Sequence, residues 1–221
     1  QLPFYLRCLK SLFSFCKDSI DLQLHSDGTL SREEEDSIHS ELNGTMFTLT
    51  DSSENTTRVL DCLQGRPNCQ RVRKDSIWGI EFFDPIYAFP EETISFYLDA
   101  DILFFHPFSG LFDRHQVQGG AIFLKDTQWD AYSFRPWQML TGKNKPQVVK
   151  GITTGLVFWD KSAIDWDYLE WFLGEHHLHQ IPEWIMPTAQ AGLANRCDAK
   201  TISPSQLPNL YPNAHIHEGI F

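Results

Sequence analysis

The chain of 221 residues is 42% hydrophobic and 14% aromatic, which suits one well-buried domain and is too little for two large ones. Its net charge is −11, and its lysines and arginines are scattered rather than grouped in a block. Duplex nucleic acid and anionic membrane are therefore poor partners, and an anionic substrate would need local help from a cation.

The cysteines and the apolar runs bear on the compartment. The five cysteines show no C-x-x-C spacing, and their odd number argues against a disulfide framework. No apolar run reaches the ~18 residues of a membrane span, and no signal peptide is visible, so we expect a cytoplasmic protein with reduced thiols. Two sequences, at Asn43 and Asn55, match the N-glycosylation pattern, a match that also arises by chance. We expect one domain over 1–221. Because the chain begins at Gln1 and not at a methionine, we also expect that the first strand of this domain can precede the given sequence.

Helical and extended patterns alternate in the first half of the chain. Apolar residues at helical spacing open it, and a Ser31/Glu34 capping box starts the second helix. Gly65, Pro67 and Pro85 are expected to break helices. The predicted elements are a helix over 3–17, a strand over 20–25, a helix over 31–42, a strand over 46–50, and helices over 56–64 and 76–83.

The same alternation continues in the second half and indicates an α/β domain, with a mostly parallel central sheet flanked by helices. In such sheets ligands bind beyond the carboxyl ends of the strands, where Asp27, Asp99 and Asp101 are expected to share one crevice. The predicted elements are strands over 94–98 and 121–124, a helix over 131–140, a strand over 156–159, helices over 165–177 and 187–196, and strands near 199–203 and 214–217.

The run Asp99-Ala100-Asp101 is the strongest functional signal. It fixes two carboxylates one residue apart, after the apolar strand 94–98 and before further apolar residues. Buried carboxylates are costly unless they are paired or bound to a cation, and Mg²⁺ and Mn²⁺ prefer oxygen ligands. The run therefore predicts a divalent metal site.

Several segments, taken in order, resemble the GT-A-type nucleotide-sugar glycosyltransferases, which carry such a DxD motif. The resemblance spans nearly the whole chain and implies a GT-A-like nucleotide-diphospho-sugar transferase domain. The segments are the helix Leu6-Arg7-Cys8-Leu9-Lys10-Ser11-Leu12, His25-Ser26-Asp27-Gly28-Thr29-Leu30, Tyr97-Leu98-Asp99-Ala100-Asp101-Ile102-Leu103-Phe104, Gly151-Ile152-Thr153-Thr154-Gly155-Leu156-Val157-Phe158, and His215-Ile216-His217-Glu218-Gly219.

This resemblance implies a metal-dependent transferase that moves a sugar from a nucleoside diphosphate sugar to the hydroxyl of a saccharide or other acceptor. Asp101 would bind the metal directly, and Asp99 would reach the metal through water or contact the ribose or sugar of the donor. His217 would be the third ligand, which favours Mn²⁺ over Mg²⁺. Asp99 and Asp101 are the residues expected to be catalytic.

The resemblance also implies contacts to the donor. Asp27 would contact the nucleobase or ribose, although an Asp-Gly pair is also an ordinary turn signal. Lys74 lies on a segment that leans over the diphosphate in similar enzymes, and Thr154 and Gly155 lie where the donor sugar binds. The sequence departs from the family here, because Thr153 stands where an Asn is frequent.

Three alternatives stay open. A haloacid-dehalogenase-type phosphohydrolase also places a DxD after an apolar strand, but it expects Thr or Val where Leu103 stands and a motif near the start of the fold. A sugar-nucleotide pyrophosphorylase needs a Gly-rich basic loop that the sequence lacks. A relative that binds sugar or nucleotide without turnover is the third.

His176 and His179 share a helical face, but a closed zinc site needs about four ligands.

Overall fold

The computed structural model describes residues 2–26, 28–42, 45, 47–125, 132–133, 147–179 and 181–203, with the backbone alone for 51–54 and 114. Four of the sequence predictions lie outside the described residues. These are Asp27, most of the helix over 131–140, the strand near 214–217, and His217.

Helices and strands alternate over residues 2–51, and in the described residues after them three helices, three strands and two helices follow one another before a last strand. The helices are α1 Leu2–Phe15, α2 Arg32–Glu41, α3 Ser52–Cys62, α4 Pro67–Asp75, α5 Ile77–Ala88, α6 Trp166–Gly174 and α7 Ile185–Ala194. The strands are β1 Leu22–Ser26, β2 Phe47–Asp51, β3 Ile94–Leu98, β4 Gly120–Lys125, β5 Ile152–Asp160 and β6 Asp198–Ile202.

The strands form two sheets in the described part of the chain. A parallel pair, β1 and β2, stands apart from a four-stranded sheet of order β3-β5-β4-β6. The α/β class is confirmed, but the expectation of a mostly parallel sheet is wrong for the larger sheet, where β5 runs antiparallel to both β3 and β4. Connections set the direction of a strand, and an apolar buried strand reads the same in either direction.

Local signals explain most helix ends, and one expectation about proline is wrong. Ser31 and Glu34 form the predicted capping box of α2, in which only Ile38 is buried. The chain is broken at Gly65 and Pro67 as expected, but Pro67 also begins the unpredicted helix α4, because a first-turn proline lacks only an N–H that has no intrahelical acceptor. Pro85 lies inside α5, where the oxygen of its own carbonyl accepts a bond from Ser95 Oγ at 2.9 Å.

Three apolar clusters hold the site in place. The largest joins α4 to α7 with one face of the four-stranded sheet and includes Phe83, Phe123 and Phe172, all fully buried. A second covers the opposite face of this sheet, around Phe158. The third packs α1 and α2 against one face of the β1–β2 pair through Leu24. Burial of each such side chain contributes about 1.5–3 kcal/mol.

The other face of the β1–β2 pair is polar. It carries Gln23 and His25 on β1, and Gln23 Nε2 donates to Thr50 Oγ1 on β2 at 2.5 Å. Helix α3 lies against this face and meets it with Asn55 rather than with an apolar side chain. A small sheet whose interior face is polar differs from the larger sheet, both faces of which are covered by apolar clusters.

Within the described residues, no helix has the length and apolar character needed to cross a membrane.

Candidate functional site

The paired carboxylates lie directly after β3, as predicted. Asp99 N donates to Gly155 O at 2.7 Å, which prolongs the β3–β5 ladder by one residue, and the chain then turns at Ala100 and Asp101. Asp99 is half-buried and Asp101 is exposed. The Asp99 carboxylate is therefore held by the sheet, and the Asp101 carboxylate, two residues later, faces solvent.

Asp99 is oriented by its neighbours. Side chains two residues apart on a strand lie on the same face, so Tyr97 and Asp99 are neighbours. Tyr97 Oη donates to Asp99 Oδ1 at 2.5 Å. Cys8 Sγ on α1 contacts Asp99 O at 3.6 Å. Burial, Asp101 and Asp99 raise the pKa of the Cys8 thiol to about 12, so it stays protonated.

Glu81 on α5 adds a third carboxyl group near Asp99. Burial first and the charge of Asp99 second raise the pKa of Glu81 to about 7. Burial and Asp101 raise the pKa of Asp99 to about 6, against the opposing effect of the Tyr97 bond. Burial, Asp99 and Glu81 all raise the pKa of Tyr97. We call Glu81, Tyr97, Asp99 and Asp101 the acidic cluster.

A small cavity borders this cluster between α5 and the sheet. Glu81 and Tyr97 line it, together with Gln190 of α7. Gln190 Oε1 accepts from Trp159 Nε1 at 3.3 Å, so the amide is held in place by the core. Thr188, the other polar residue of this helix start, serves the fold instead, because its hydroxyl bonds Trp184 O and Ser133 N.

Strand β5 is irregular where it passes Asp99. The β4 register jumps from Phe123 opposite Val157 to Leu124 opposite Thr153, so the intervening residues Thr154 to Leu156 leave the β4 ladder. A Cβ placed on Gly155 would lie 3.3 Å from Asp99 Oδ2. Bulges recur next to active sites, and here the irregular segment of β5 places Gly155 against Asp99.

The basic residues before the motif are used by the fold. Arg73 is buried and ion-paired with fully buried Asp84, with Nη2 2.8 Å from Oδ2. Arg71 donates to Leu173 O at 2.9 Å and lies beside His176 Nε2. Lys74 is exposed in the last turn of α4, and none of the described hydrogen bonds or ion pairs joins it to Asp99.

A second polar cluster lies on the inner face of the β1–β2 pair. Arg58 Nη2 donates to Asn55 Oδ1 at 2.7 Å, and Asn55 Nδ2 lies 3.1 Å from His25 Nδ1. Burial, Arg58 and Arg73 lower the pKa of His25 to about 4, so the imidazole is neutral at pH 7. We call His25, Asn55, Arg58 and Arg73 the arginine cluster.

This cluster also settles one of the glycosylation matches. Asn55 is 3% exposed and both ends of its amide are engaged inside α3, so an oligosaccharide transferase cannot reach it in the folded chain. Asn43 lies outside the described residues.

The candidate zinc site at the end of α6 does not form. Helix α6 stops at Gly174, earlier than predicted, and His179 Nε2 lies 3.0 Å from Phe172 O. Arg71 Nη1, which carries positive charge, lies 3.1 Å from His176 Nε2 and would oppose a metal ion there. This group is a helix end with satisfied imidazoles.

The acidic cluster suits a divalent cation of the Mg²⁺ or Mn²⁺ type. It offers two carboxylates separated by one residue. Burial first and the neighbouring carboxylates second raise the pKa values of Asp99 and Glu81, and a bound cation would oppose both effects. Within the residues that are described, no group of three or more His, Cys, Asp or Glu side chains is close enough to hold a metal ion. Two protein ligands leave positions for phosphate and water, as Mg²⁺ sites commonly do.

Sequence reasoning missed Glu81, Asn55 and Arg58. Glu81 had a usable signal, since it and Asp84 are the only charged residues in the otherwise apolar helix Ile77–Ala88. Asn55 and Arg58 had none beyond their helical spacing, because polar residues on a helix are usually exposed.

The fold defines a class. The mixed α/β arrangement is a GT-A-like fold. The crystal structure of mouse xyloside xylosyltransferase 1, in its apo form, matches it with a TM-score of 0.53 at 14% sequence identity, covering 86% of this chain and 70% of that chain. No protein-family model and no curated protein matches the sequence. At this identity the likeness is one of fold.

Proposed function

We propose that this protein is a metal-dependent glycosyltransferase that moves a sugar from a nucleoside diphosphate sugar to an acceptor hydroxyl. The observation that carries the proposal is the carboxylate pair Asp99/Asp101 at the carboxyl end of β3, with the bulged Thr154–Gly155 segment of β5 against Asp99. Ligands of open α/β sheets bind at strand ends of this kind.

The chain's own groups divide the work at this site. Asp101, which is exposed, would be the direct ligand of Mn²⁺ or Mg²⁺, and Asp99 is held by the Tyr97 hydroxyl and by the sheet. A bound cation supplies stabilisation of the charge that develops on the departing diphosphate. Gly155 leaves Asp99 Oδ2 accessible, because a larger residue would press on it.

Other assignments complete the proposal. Asp27 would contact the donor nucleobase or ribose, Thr154 and Gly155 the donor sugar, and His217 the metal, which favours Mn²⁺. Lys74 stays a prediction from the resemblance. A cytoplasmic location likewise stays a prediction, and the five cysteines are free thiols in the structure.

The structural neighbour narrows the first substrates to try. It is named as a transferase of xylosyl groups to a xyloside, so a pentosyl nucleotide and a saccharide acceptor come first. Hexosyl donors of uridine and guanosine diphosphate complete the panel.

The test is release of nucleoside diphosphate from this panel in Mn²⁺, with and without saccharide acceptors. We expect at least one donor to be turned over, and we expect Asp101→Asn to lose at least about 100-fold in kcat/KM, a ΔΔG‡ of about 2.7 kcal/mol. Asp198→Asn, an exposed carboxylate at the start of β6, is the matched control and should keep wild-type activity.

Three results would contradict the proposal. Turnover unaffected by Asp101→Asn removes the carboxylates from the chemistry. Calorimetric binding of a sugar nucleotide without turnover identifies a non-catalytic relative. Release of phosphate from simple phosphomonoesters, with no use of sugar nucleotides, identifies a phosphohydrolase.

A further inference from the structure

The hydrogen-bond chain from Arg58 to His25 can be read in only one direction. Arg58 has donors and no acceptor, so the Asn55 atom that it contacts at 2.7 Å must be the carbonyl oxygen Oδ1. The Asn55 amide nitrogen, which can only donate, then faces His25 Nδ1 at 3.1 Å. His25 Nδ1 must therefore accept, and the proton of the neutral imidazole is on Nε2.

Two further features keep His25 in that form. The imidazole stays neutral well below pH 7, because burial and the charges of Arg58 on α3 and Arg73 on α4 oppose its protonation. Asn55 cannot rotate to offer its oxygen to His25 without placing its amide nitrogen against the Arg58 guanidinium, donor against donor. We call the two hydrogen bonds from Arg58 to Asn55 and from Asn55 to His25 the relay. Together with burial, the relay excludes both the imidazolium and the Nδ1–H tautomer of His25.

The fixed Nε2–H has no partner in the described part of the protein. The only hydrogen bond of the His25 ring there is the one at Nδ1. His25 is the last residue but one of β1, opposite Thr50 of β2, at the carboxyl end of a parallel pair. This is the edge at which α/β sheets receive ligands.

We propose that Arg58 and Asn55 are positioning residues that fix His25 as an Nε2–H donor, and that this N–H donates to an acceptor oxygen or nitrogen of the nucleoside portion of the sugar nucleotide. The inference rests on the proposed function and deepens it. It accounts for a polar interior face on the β1–β2 pair, where an apolar face would stabilise the fold more simply. A pre-oriented donor binds an acceptor without a change of tautomer on binding.

The first arm of the test reads the tautomer without any ligand. In the ¹⁵N-labelled full chain, the two ring nitrogens of His25, assigned by their loss in His25→Gln, should show a protonated Nε2 and an unprotonated Nδ1 from pH 7 down to pH 5. Asn55→Asp, nearly isosteric, should move the proton to Nδ1 or give an imidazolium, since a carboxylate only accepts. Arg58→Ala should give a mixture of tautomers, and Arg58→Lys, which keeps a donor for Asn55 Oδ1, should restore the wild-type pattern.

The second arm measures affinity by calorimetry, using uridine, guanosine and adenosine diphosphates in Mn²⁺. The nucleotide that binds best to the wild type should bind about 5–10-fold more weakly to Arg58→Ala and Asn55→Asp and nearly normally to Arg58→Lys. Arg196→Ala is the matched control, because Arg196 is an exposed arginine that pairs with Asp165, and neither residue belongs to the arginine cluster. It should change neither tautomer nor affinity.

Each failure has a different meaning. A mixed tautomer in the wild type overturns the relay. A shifted tautomer in Arg58→Ala or Asn55→Asp with unchanged nucleotide affinity overturns the donor role of His25 and leaves the transferase proposal standing. Absence of any nucleoside diphosphate binding by the wild type overturns both the donor role and the proposed function.

Discussion

The acidic cluster and the arginine cluster are two half-buried polar groups at the ends of different strands, and burial acts on them in opposite directions. At β3 it raises the pKa of Asp99 to about 6 and of Glu81 to about 7, and the neighbouring carboxylates add to the effect. At β1 it lowers the pKa of His25 to about 4, and two arginines add to the effect. Both clusters therefore favour neutral side chains, because burial disfavours charge and the neighbouring charges have the same sign as the group that would ionise.

The difference indicates what each cluster can receive. Carboxylates that repel one another gain from a cation, which allows all of them to ionise. A neutral imidazole under two guanidinium groups gains nothing from a cation and offers a hydrogen bond instead. A nucleoside diphosphate sugar with its metal carries both complements, a cation at the diphosphate and neutral acceptors on the nucleoside.

Helix α5 connects the two clusters. Glu81 faces the acidic cluster, and Asp84, one turn later, pairs with Arg73 of the arginine cluster. The same helix thus carries the ion-paired Asp84 and also Glu81, for which the described residues provide no ion pair.

The largest expected effect comes from breaking the Arg73–Asp84 pair. Asp84→Asn leaves the Arg73 guanidinium buried without a counterion, which should lower the free energy of unfolding by about 3–5 kcal/mol in urea titrations at pH 7.5. The double variant Arg73→Met/Asp84→Leu should recover most of that loss, because neither charge is then buried. Asp75→Asn at the exposed end of α4 is the control and should stay within about 0.5 kcal/mol.

If Asp84→Asn cost no more than the Asp75 control, the pair would not connect the two clusters energetically. A double variant as unstable as the single one would instead indicate that the loss comes from packing.

The acidic cluster should make stability depend on pH in the direction opposite to ordinary surface carboxylates. The pKa of Asp99 rises from 3.8 to about 6 on folding and that of Glu81 from 4.5 to about 7. The folded state therefore resists ionisation, and stability should fall as pH rises from about 4 to 7. Solvent screening at these half-buried groups reduces the loss to about 2 kcal/mol.

Thermal unfolding at a series of pH values in EDTA and in Mn²⁺ measures this effect. In EDTA, Glu81→Gln should flatten the slope between pH 5 and 8. Mn²⁺ should raise Tm more at pH 8 than at pH 5, because protons compete with the metal for the carboxylates. Equal stabilisation by Mn²⁺ at both pH values would argue against a metal site at Asp99 and Asp101.

A smaller effect is expected from Gly155→Ala. The added Cβ would lie 3.3 Å from Asp99 Oδ2, so the carboxylate must shift by a few tenths of an ångström. We expect Mn²⁺ affinity, read by calorimetry, to fall about 5–10-fold, which is about 1–1.4 kcal/mol. In EDTA the variant should unfold within about 1 °C of the wild type. Unchanged Mn²⁺ affinity would show that the metal binds the carboxylates on the side away from Gly155.

The sequence predicted the acidic cluster far better than the arginine cluster. Strand 94–98 and its two carboxylates were predicted with the bounds that the structure has, because a mostly apolar segment of five residues closed by Asp-x-Asp has few other interpretations. The Thr154–Gly155 segment was placed there by resemblance, and the structure brings Gly155 against Asp99.

The remainder depended on contacts between distant segments. Arg73 reads as a solvated cation in sequence, and it is buried because Asp84 lies 11 residues later on the next helix. Asn55 and His25 are 30 residues apart, and only the packing of α3 on the polar face of β1 brings them together. The antiparallel direction of β5 likewise follows from its connections and has no local signature.

The smallest effect in the comparison belongs to His25, and it has the sign opposite to that of the acidic cluster. Its pKa falls from 6.5 to about 4 on folding, so the stability that it contributes is complete above about pH 6.5 and is lost as pH falls towards 4. After screening we expect about 1 kcal/mol. The acidic cluster gains stability over much of the same interval, and in the wild type the two slopes partly cancel.

His25→Gln should expose the acidic slope in full, and Glu81→Gln should expose the histidine slope. Urea titrations of both variants and the wild type, every half pH unit from 4 to 8, measure the two terms. Parallel curves for His25→Gln and the wild type would show that the arginine cluster does not hold this imidazole neutral.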